Sequence, residues 1–415
     1  MLQLFRRYCL RDMSWLCLLV VFFTRSDAAP IADGADKFLG NIVSGSVPSD
    51  FAEYWNQLTL ENSGKWGSVE PVRDQMNWGP ITTAYDYARN KGFIYKHHVF
   101  VWGSQAPGWL GNLSQTDQRA EIEEWIKEYG ERYPETDFID VVNEPFNAPP
   151  AFKNALGGDG STGWDWIVTS FEMARKYCPK AKLLINEFEI EYDATLAAKY
   201  LEIVKILKER DLVDGVGLQC HTNEIQRDKP TVEAIRGALD TLASAGVPLY
   251  VSELDLKGDD ATQLADYQRL FPVFWEHPAV MGVTLWGYLP PTWIGGTELK
   301  NNGTERPALK WLREYVADHK TPAIYSRKTS RVNNDLITVQ PSGSGSIGFF
   351  LQSRRNLSVF IVNLNGKTVA EFSAREFTPG NHVLPLPSAG MVTGMHVVLF
   401  SGEGLTVPVR VFAGF

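Results

Sequence analysis

Two glutamates close apolar runs. Glu144 follows Phe138-Ile-Asp-Val-Val-Asn143 and is stopped at once by Pro145, and Glu253 follows Pro248-Leu-Tyr-Val-Ser252. Short apolar runs bounded by such breakers read as buried strands, so each carboxylate is delivered at a strand end. Two carboxylates flanking one cleft can break a glycosidic bond: one protonates the leaving oxygen while the other attacks the anomeric carbon or activates water. A lone glutamate in such a place reads as a solvated surface or capping acid. Two in matching positions do not.

Other strand ends add residue types suited to sugars. The second gives Glu61-Asn-Ser-Gly-Lys-Trp66 and the third His97-His-Val-Phe-Val-Trp-Gly-Ser-Gln105. The sixth gives Gln219-Cys-His221 and the eighth Trp286. Sugars present hydroxyls at their edges and apolar C–H faces, so polar side chains and indoles together make a binding wall. His97, His98 and His221 fit no usual zinc spacing. Neither a metal nor another cofactor is expected.

The elements that must hold these residues alternate. Apolar runs at 38–43, 58–60, 95–102, 138–142, 182–185, 213–219, 248–251 and 280–286 are interleaved with amphipathic segments at 51–56, 81–90, 118–133, 164–177, 195–210, 231–243 and 262–275, and a segment at 306–317 closes the series. Eight strands each followed by a helix predict an α/β fold, a (β/α)8 TIM barrel, over residues 30–319. In that fold functional residues gather at the C-terminal strand ends. Residues 320–335 read as a polar linker. Residues 336–415 show short alternating strands with turn signals at Asn365-Gly366, Pro379-Gly380 and Ser401-Gly402, which predicts a small all-β sandwich.

The 415 residues carry a formal net charge of −9, and no Lys/Arg cluster occurs beyond the N-terminal stretch. A nucleic-acid partner is not expected. Arg6, Arg7 and Arg11 precede the apolar run 15–23, and small residues follow to Ala29, which is the layout of a signal peptide over 1–29. That run is too short for a membrane span, so a secreted protein, extracellular or at the cell surface, is expected. Cys9 and Cys17 fall inside this segment; spacing gives no support for pairing Cys178 with Cys220. Asn112, Asn302 and Asn356 head glycosylation sequons.

Asp140-Val-Val-Asn-Glu-Pro145 with Ser252-Glu-Leu-Asp255, joined to Glu61-Asn62, Lys65-Trp66, Val101-Trp102 and Ser104-Gln105, resembles glycoside hydrolase family 10, the endo-β-1,4-xylanases, over about residues 37–318. The resemblance implies Glu144 as acid/base and Glu253 as nucleophile, acting with retention on xylan or xylo-oligosaccharides. It further implies Asn143 as the partner of the sugar 2-hydroxyl, and His221, backed by Asp255, as the group that orients Glu253. Glu61, Asn62, Lys65, His98, Trp102, Gln105, Gln219, Trp286 and Trp293 are implied in substrate binding. The chain departs from the family pattern at Gly103, where histidine is usual, at Asn186-Glu-Phe188, where Asn-Asp-Tyr is usual, and near Trp293-Ile294. The C-terminal segment resembles immunoglobulin-like sorting domains of secreted bacterial enzymes, which implies secretion machinery as a partner; a plain stabilising appendage and a carbohydrate-binding module are the alternatives. For the barrel the alternatives are an endo-β-1,4-glucanase or mixed-specificity glycanase, and a non-catalytic glycan-binding protein.

Overall fold

The computed structural model describes residues 29–320, 337–342, 346–351, 354–363, 368–385, 394–402 and 405–413. Eight parallel strands form a closed barrel in sequence order: β1 (Phe38–Val43), β2 (Gln57–Leu60), β3 (Ile94–Val101), β4 (Phe138–Asn143), β5 (Lys182–Glu187), β6 (Gly215–Leu218), β7 (Leu249–Leu254) and β8 (Val280–Leu285). β8 closes on β1 through Phe38↔Gly282 and Asn41↔Leu285. Nearly every strand residue is buried. Both faces are covered, which is why the strands read as continuous apolar runs rather than as alternation.

The outer helices begin where the sequence supplies caps. Ser114, Asp193, Thr231 and Asp259 each accept from a backbone N–H of the first turn of the helix that follows, a contribution of about 1 kcal/mol each. Segment 51–56 is the exception to the expected helices. It forms only a 3-10 turn, Phe51–Glu53, because six residues give too few hydrogen bonds to offset the cost of starting an α-helix; its Phe51 and Trp55 instead drive into the core. An unexpected short helix, Thr222–Asp228, follows β6. It ends at Lys229, whose φ is 47°, just before Pro230.

The barrel interior changes character along its axis. Phe38, Phe138, Leu184 and Tyr250 plug the N-terminal end as a small apolar cluster. Lys96, His98, Asp140, Asn143, Asn186 and Glu253, all buried, occupy the other end. Within the barrel the floor is apolar and the mouth carries the charged groups, so the mouth is where the barrel itself can do polar chemistry.

Beyond the barrel, strands Ile337–Ser342, Ser346–Leu351 and Gly380–Pro385 form one antiparallel sheet, and Thr368–Phe377, Arg355–Asn363, Gly394–Gly402 and Leu405–Ala413 form another. Phe349, Leu351 and Leu384 of the first meet Leu357, Val359, Ile361, Phe377, Val398 and Phe400 of the second in one core, as a sandwich requires. Gly380 takes a φ of 123° after Pro379, as that turn signal expects. Ser401-Gly402 closes its strand: Gly402 pairs with Leu405, the first residue of the antiparallel neighbour, so the chain reverses directly after that signal. The expected signal segment (1–29) and linker (320–335) lie outside the described residues except for Ala29 and Lys320, as does Asn365-Gly366. Cys178 and Cys220 are buried and unpaired. Among the described residues, no helix is long and apolar enough to cross a membrane.

Candidate active site

The C-terminal strand ends open into a cleft of about 380 Å³. β2 and its loop contribute Glu61, Asn62 and Lys65, and β3 and its loop contribute His98, Trp102 and Gln105. β4 gives Asn143 and Glu144, the segment after β6 gives Gln219 and His221, and β7 gives Glu253. Trp286 and Trp293 follow β8. Of the residues to which the family resemblance gives a role, Asp255 alone is absent from the lining. Two further residues join it: Phe188, noted above only as a departure, and Glu224 on the unexpected helix.

Glu144 sits at φ 53°, a backbone region that non-glycine residues enter rarely and mostly where the surroundings enforce it. Its N–H is held by the Asn186 carbonyl at 2.8 Å. The carboxylate accepts from Asn143 Nδ2 at 3.1 Å and Gln219 Nε2 at 3.0 Å on one oxygen, and from Trp102 Nε1 at 2.9 Å on the other. The donors are all neutral, and the side chain is partly exposed. Behind it, Glu187 accepts from Phe146 N, Asn147 Nδ2 and Phe188 N at 2.9–3.0 Å, anchoring the loop that leaves Glu144. Burial pushes the Glu187 carboxyl up to about 7 despite those bonds, with the Glu144 charge adding to the rise.

Glu253 has the opposite surroundings. It is 3 % exposed; one oxygen accepts from Asn186 Nδ2 at 2.6 Å, and the other lies 3.2 Å from His221 Nε2. His221 Nδ1 lies 3.4 Å from Asp255, which also accepts from Thr222 N at 2.7 Å and from the Trp293 indole. Burial would expel a proton from His221, but the carboxylates of Asp255 and Glu253 on either side outweigh it and hold the imidazole pKa up at about 10. Burial would likewise raise the Glu253 carboxyl; His98, His221 and Lys96 overcome it and hold the group well below the usual carboxylate range. Asp140, fully buried, fixes this layer from beneath by accepting from Lys96 Nζ and facing His98 Nδ1, each at 2.9 Å.

Asn186 joins the two carboxylates. Its Nδ2 donates to Glu253 and, at 2.7 Å, to Asn143 Oδ1, while its own oxygen accepts from Ser252 at 2.6 Å. The space for it comes from Gly217 on β6, where a Cβ would lie 2.2 Å from Asn186 Oδ1.

The remaining wall is a connected polar net. Lys65 Nζ donates to Asn62 at 3.0 Å and Gln105 at 2.6 Å and stands 4.9 Å from the Trp102 ring centroid. Trp286 is buried, with its ring 5.4 Å from His98 and 5.9 Å from His221; Trp293 is 48 % exposed and 4.7 Å from His221. Two residues grouped with this wall in the sequence turn away from it. Trp66 stacks on Trp125 at 6.0 Å in the core. His97 packs against Tyr129 at 4.0 Å, because alternation along β3 sends it outward while His98 points in. Gly103 has a steric cause: a Cβ there would come 2.3 Å from the Ala148 carbonyl, where the β3 and β4 loops touch backbone to backbone.

Comparison with known proteins agrees with this geometry. Residues 33–315 match glycosyl hydrolase family 10. The chain is 44% identical over 285 residues to endo-1,4-beta-xylanase B of Cellvibrio japonicus, an alignment covering 67% of this chain and 45% of that protein, so the chain spans less than half the length of that relative. It is 30% identical over 260 residues to endo-1,4-beta-xylanase A of Caldicellulosiruptor saccharolyticus, covering 57% and 75%. In fold it is similar to native xylanase 10B of Thermotoga maritima, with a TM-score of 0.61 at 22% identity over 69% of this chain and 97% of that one. A barrel that gathers two carboxylates at its mouth and matches the family over most of its length has one classification: this chain belongs to glycosyl hydrolase family 10.

Proposed function

We propose that the protein is a retaining endo-β-1,4-xylanase in which Glu253 is the nucleophile and Glu144 the acid/base. The observation that carries the assignment is the asymmetry of the two carboxylates. Glu253 lies among His221, Asn186, His98 and Lys96, all of which favour its charged form. Glu144 meets only neutral donors at the open side of the cleft. A nucleophile must stay ionised, whereas an acid must be able to carry a proton and exchange it with solvent.

In the first step Glu253 attacks the anomeric carbon as Glu144 gives its proton to the departing sugar oxygen. In the second, Glu144 takes a proton from water, which attacks the same carbon and releases Glu253. Asn143 donates to Glu144 and accepts from Asn186 and Gln219, and the family resemblance gives it the sugar 2-hydroxyl as its partner. Xylose is favoured over glucose because the buried Trp286 leaves little room for a hydroxymethyl group. Export belongs to the same proposal. It is supported by the basic and then apolar residues of 6–29 and by the size of xylan, which does not enter cells.

Incubation with xylan, mixed-linkage glucan and cellulose, followed by chromatography of the products and NMR of the fresh anomer, tests this reading. Short β-anomeric xylo-oligosaccharides from xylan alone are expected. Glucan products would reassign the substrate, α-anomers would overturn retention, and no product from any substrate would leave a glycan-binding protein.

A further inference from the structure

Three carboxylates converge outside the cleft, between the segment that follows β2 and the helix Gln115–Arg132. Glu70, Asp74 and Glu121 each bring one oxygen to within 4.8 Å of the others. That span is about the diameter of a Ca²⁺ coordination sphere, whose Ca–O distances are about 2.3–2.6 Å. Glu70 is fully buried, Glu121 is 5 % exposed, and Asp74 is open to solvent.

Part of this charge has partners within the protein. Glu70 accepts from Trp66 Nε1 and from Asp74 N, each at 2.8 Å. Arg73 gives both its Nε, at 2.9 Å, and a terminal nitrogen to Glu121 Oε1. Glu121 Oε2 is left buried with no donor. A buried carboxylate oxygen with nothing to accept is costly, and such an atom calls for a bound group. Three carboxylates against the one Arg73 guanidinium leave two negative charges, the charge that a divalent ion neutralises.

We propose that Glu70, Asp74 and Glu121 bind a divalent cation, Ca²⁺ in preference to Mg²⁺. The donors are all hard oxygens with no nitrogen or sulfur among them, which disfavours zinc. The set is irregular and open on the Asp74 side, where waters complete a large, flexible shell; Mg²⁺ demands near-ideal octahedral geometry. The ion ties the segment after β2 to the helix after β3. Asn62 and Lys65 of the cleft lie a few residues upstream on that same segment, and the Trp109 indole from the β3 loop donates to the Glu70 carbonyl at 3.0 Å, so the ion supports the floor beneath one wall of the cleft.

Tb³⁺ titration of the full chain after EDTA treatment tests the site, with Trp66, hydrogen-bonded to Glu70, as the sensitising indole. Saturable Tb³⁺ emission, displaced by Ca²⁺ at concentrations at least tenfold lower than by Mg²⁺, is expected. Asp74→Asn, at an exposed position that should not disturb folding, and Glu121→Gln should each weaken Tb³⁺ affinity at least tenfold. Asp260→Asn, at an exposed aspartate paired with Arg306 on the helix Asp260–Trp275, should leave it unchanged. Absence of saturable emission, or binding indifferent to Asp74→Asn, would overturn the proposal.

Discussion

Asn186 donates to Glu253 at 2.6 Å and to Asn143 at 2.7 Å through the same amide nitrogen. Asn143 in turn donates to Glu144. One neutral side chain thus sets the position of the proposed nucleophile relative to the proposed acid. Removing a hydrogen bond to a charged group costs about 1.5–3 kcal/mol, so Asn186→Ala should lower kcat about ten- to a hundredfold with a smaller change in KM. The acidic limb of its pH–rate profile should move to higher pH as Glu253 loses a donor. An unchanged limb would mean that Asn186 only fills space.

Glu253→Ala should reduce turnover of xylan by a factor on the order of 10⁴ or more, as expected when a covalent nucleophile is lost, while xylo-oligosaccharide binding measured by calorimetry persists. Added azide fits the space vacated by the carboxylate and should restore cleavage of activated aryl xylosides, giving an α-xylosyl azide. Turnover near the wild-type rate without azide would exclude the nucleophile role.

For Glu144→Ala the expected pattern is selective. Loss on xylan should be about 10²–10⁴-fold, the usual worth of a general acid. Loss in the first step should be small for an aryl xyloside with a dinitrophenol leaving group, which departs without a proton. Equal losses on both substrates, measured by pre-steady-state release of the phenol, would count against the acid role.

His221 makes stability depend on pH. Its pKa is about 10 in the folded protein against an ordinary 6.5. Between these values the folded chain keeps a proton that the unfolded chain releases. The stabilisation is therefore complete below about pH 6.5 and is lost as the pH rises toward 10, at no more than about 1.4 kcal/mol per pH unit for a single proton. Melting midpoints across that window should fall with pH in the wild type and fall less steeply in His221→Gln. Parallel slopes in the two proteins would show that the imidazole is not charged in the fold.

The barrel and the two carboxylates were readable because their signals are local. A buried strand writes itself as an apolar run, and the fold rule then sends Glu144 and Glu253 to one end. The family resemblance named the roles of their neighbours. In the sequence Asn186 stands only as the unchanged first residue of the departing Asn186-Glu-Phe188 stretch, although it bonds to both halves of the site. Its importance depends on the register of β5 against β4 and on the room left by Gly217, and neither is carried by a short motif. Trp66 and His97 show the reverse error. They sit beside true cleft residues in sequence, but strand alternation and the packing of Trp125 and Tyr129 take them into the core. Glu224 could not be anticipated without the short helix Thr222–Asp228, and the cluster Glu70, Asp74 and Glu121 joins residues from two separate elements.

For the glycoside hydrolysis proposed above, the charged layer at the barrel mouth bears on how the barrier would be lowered. Lys96, Asp140, His98, Glu253, His221 and Asp255 form a shell of buried groups, each facing a neighbour at 2.9–3.4 Å. In water, the dipoles around an emerging oxocarbenium ion would have to rotate at every encounter, and that rotation is most of what solvent charges for the reaction. Here the dipoles are already turned. The work of polarisation was done once, when the chain folded, and it does not recur with each bond broken.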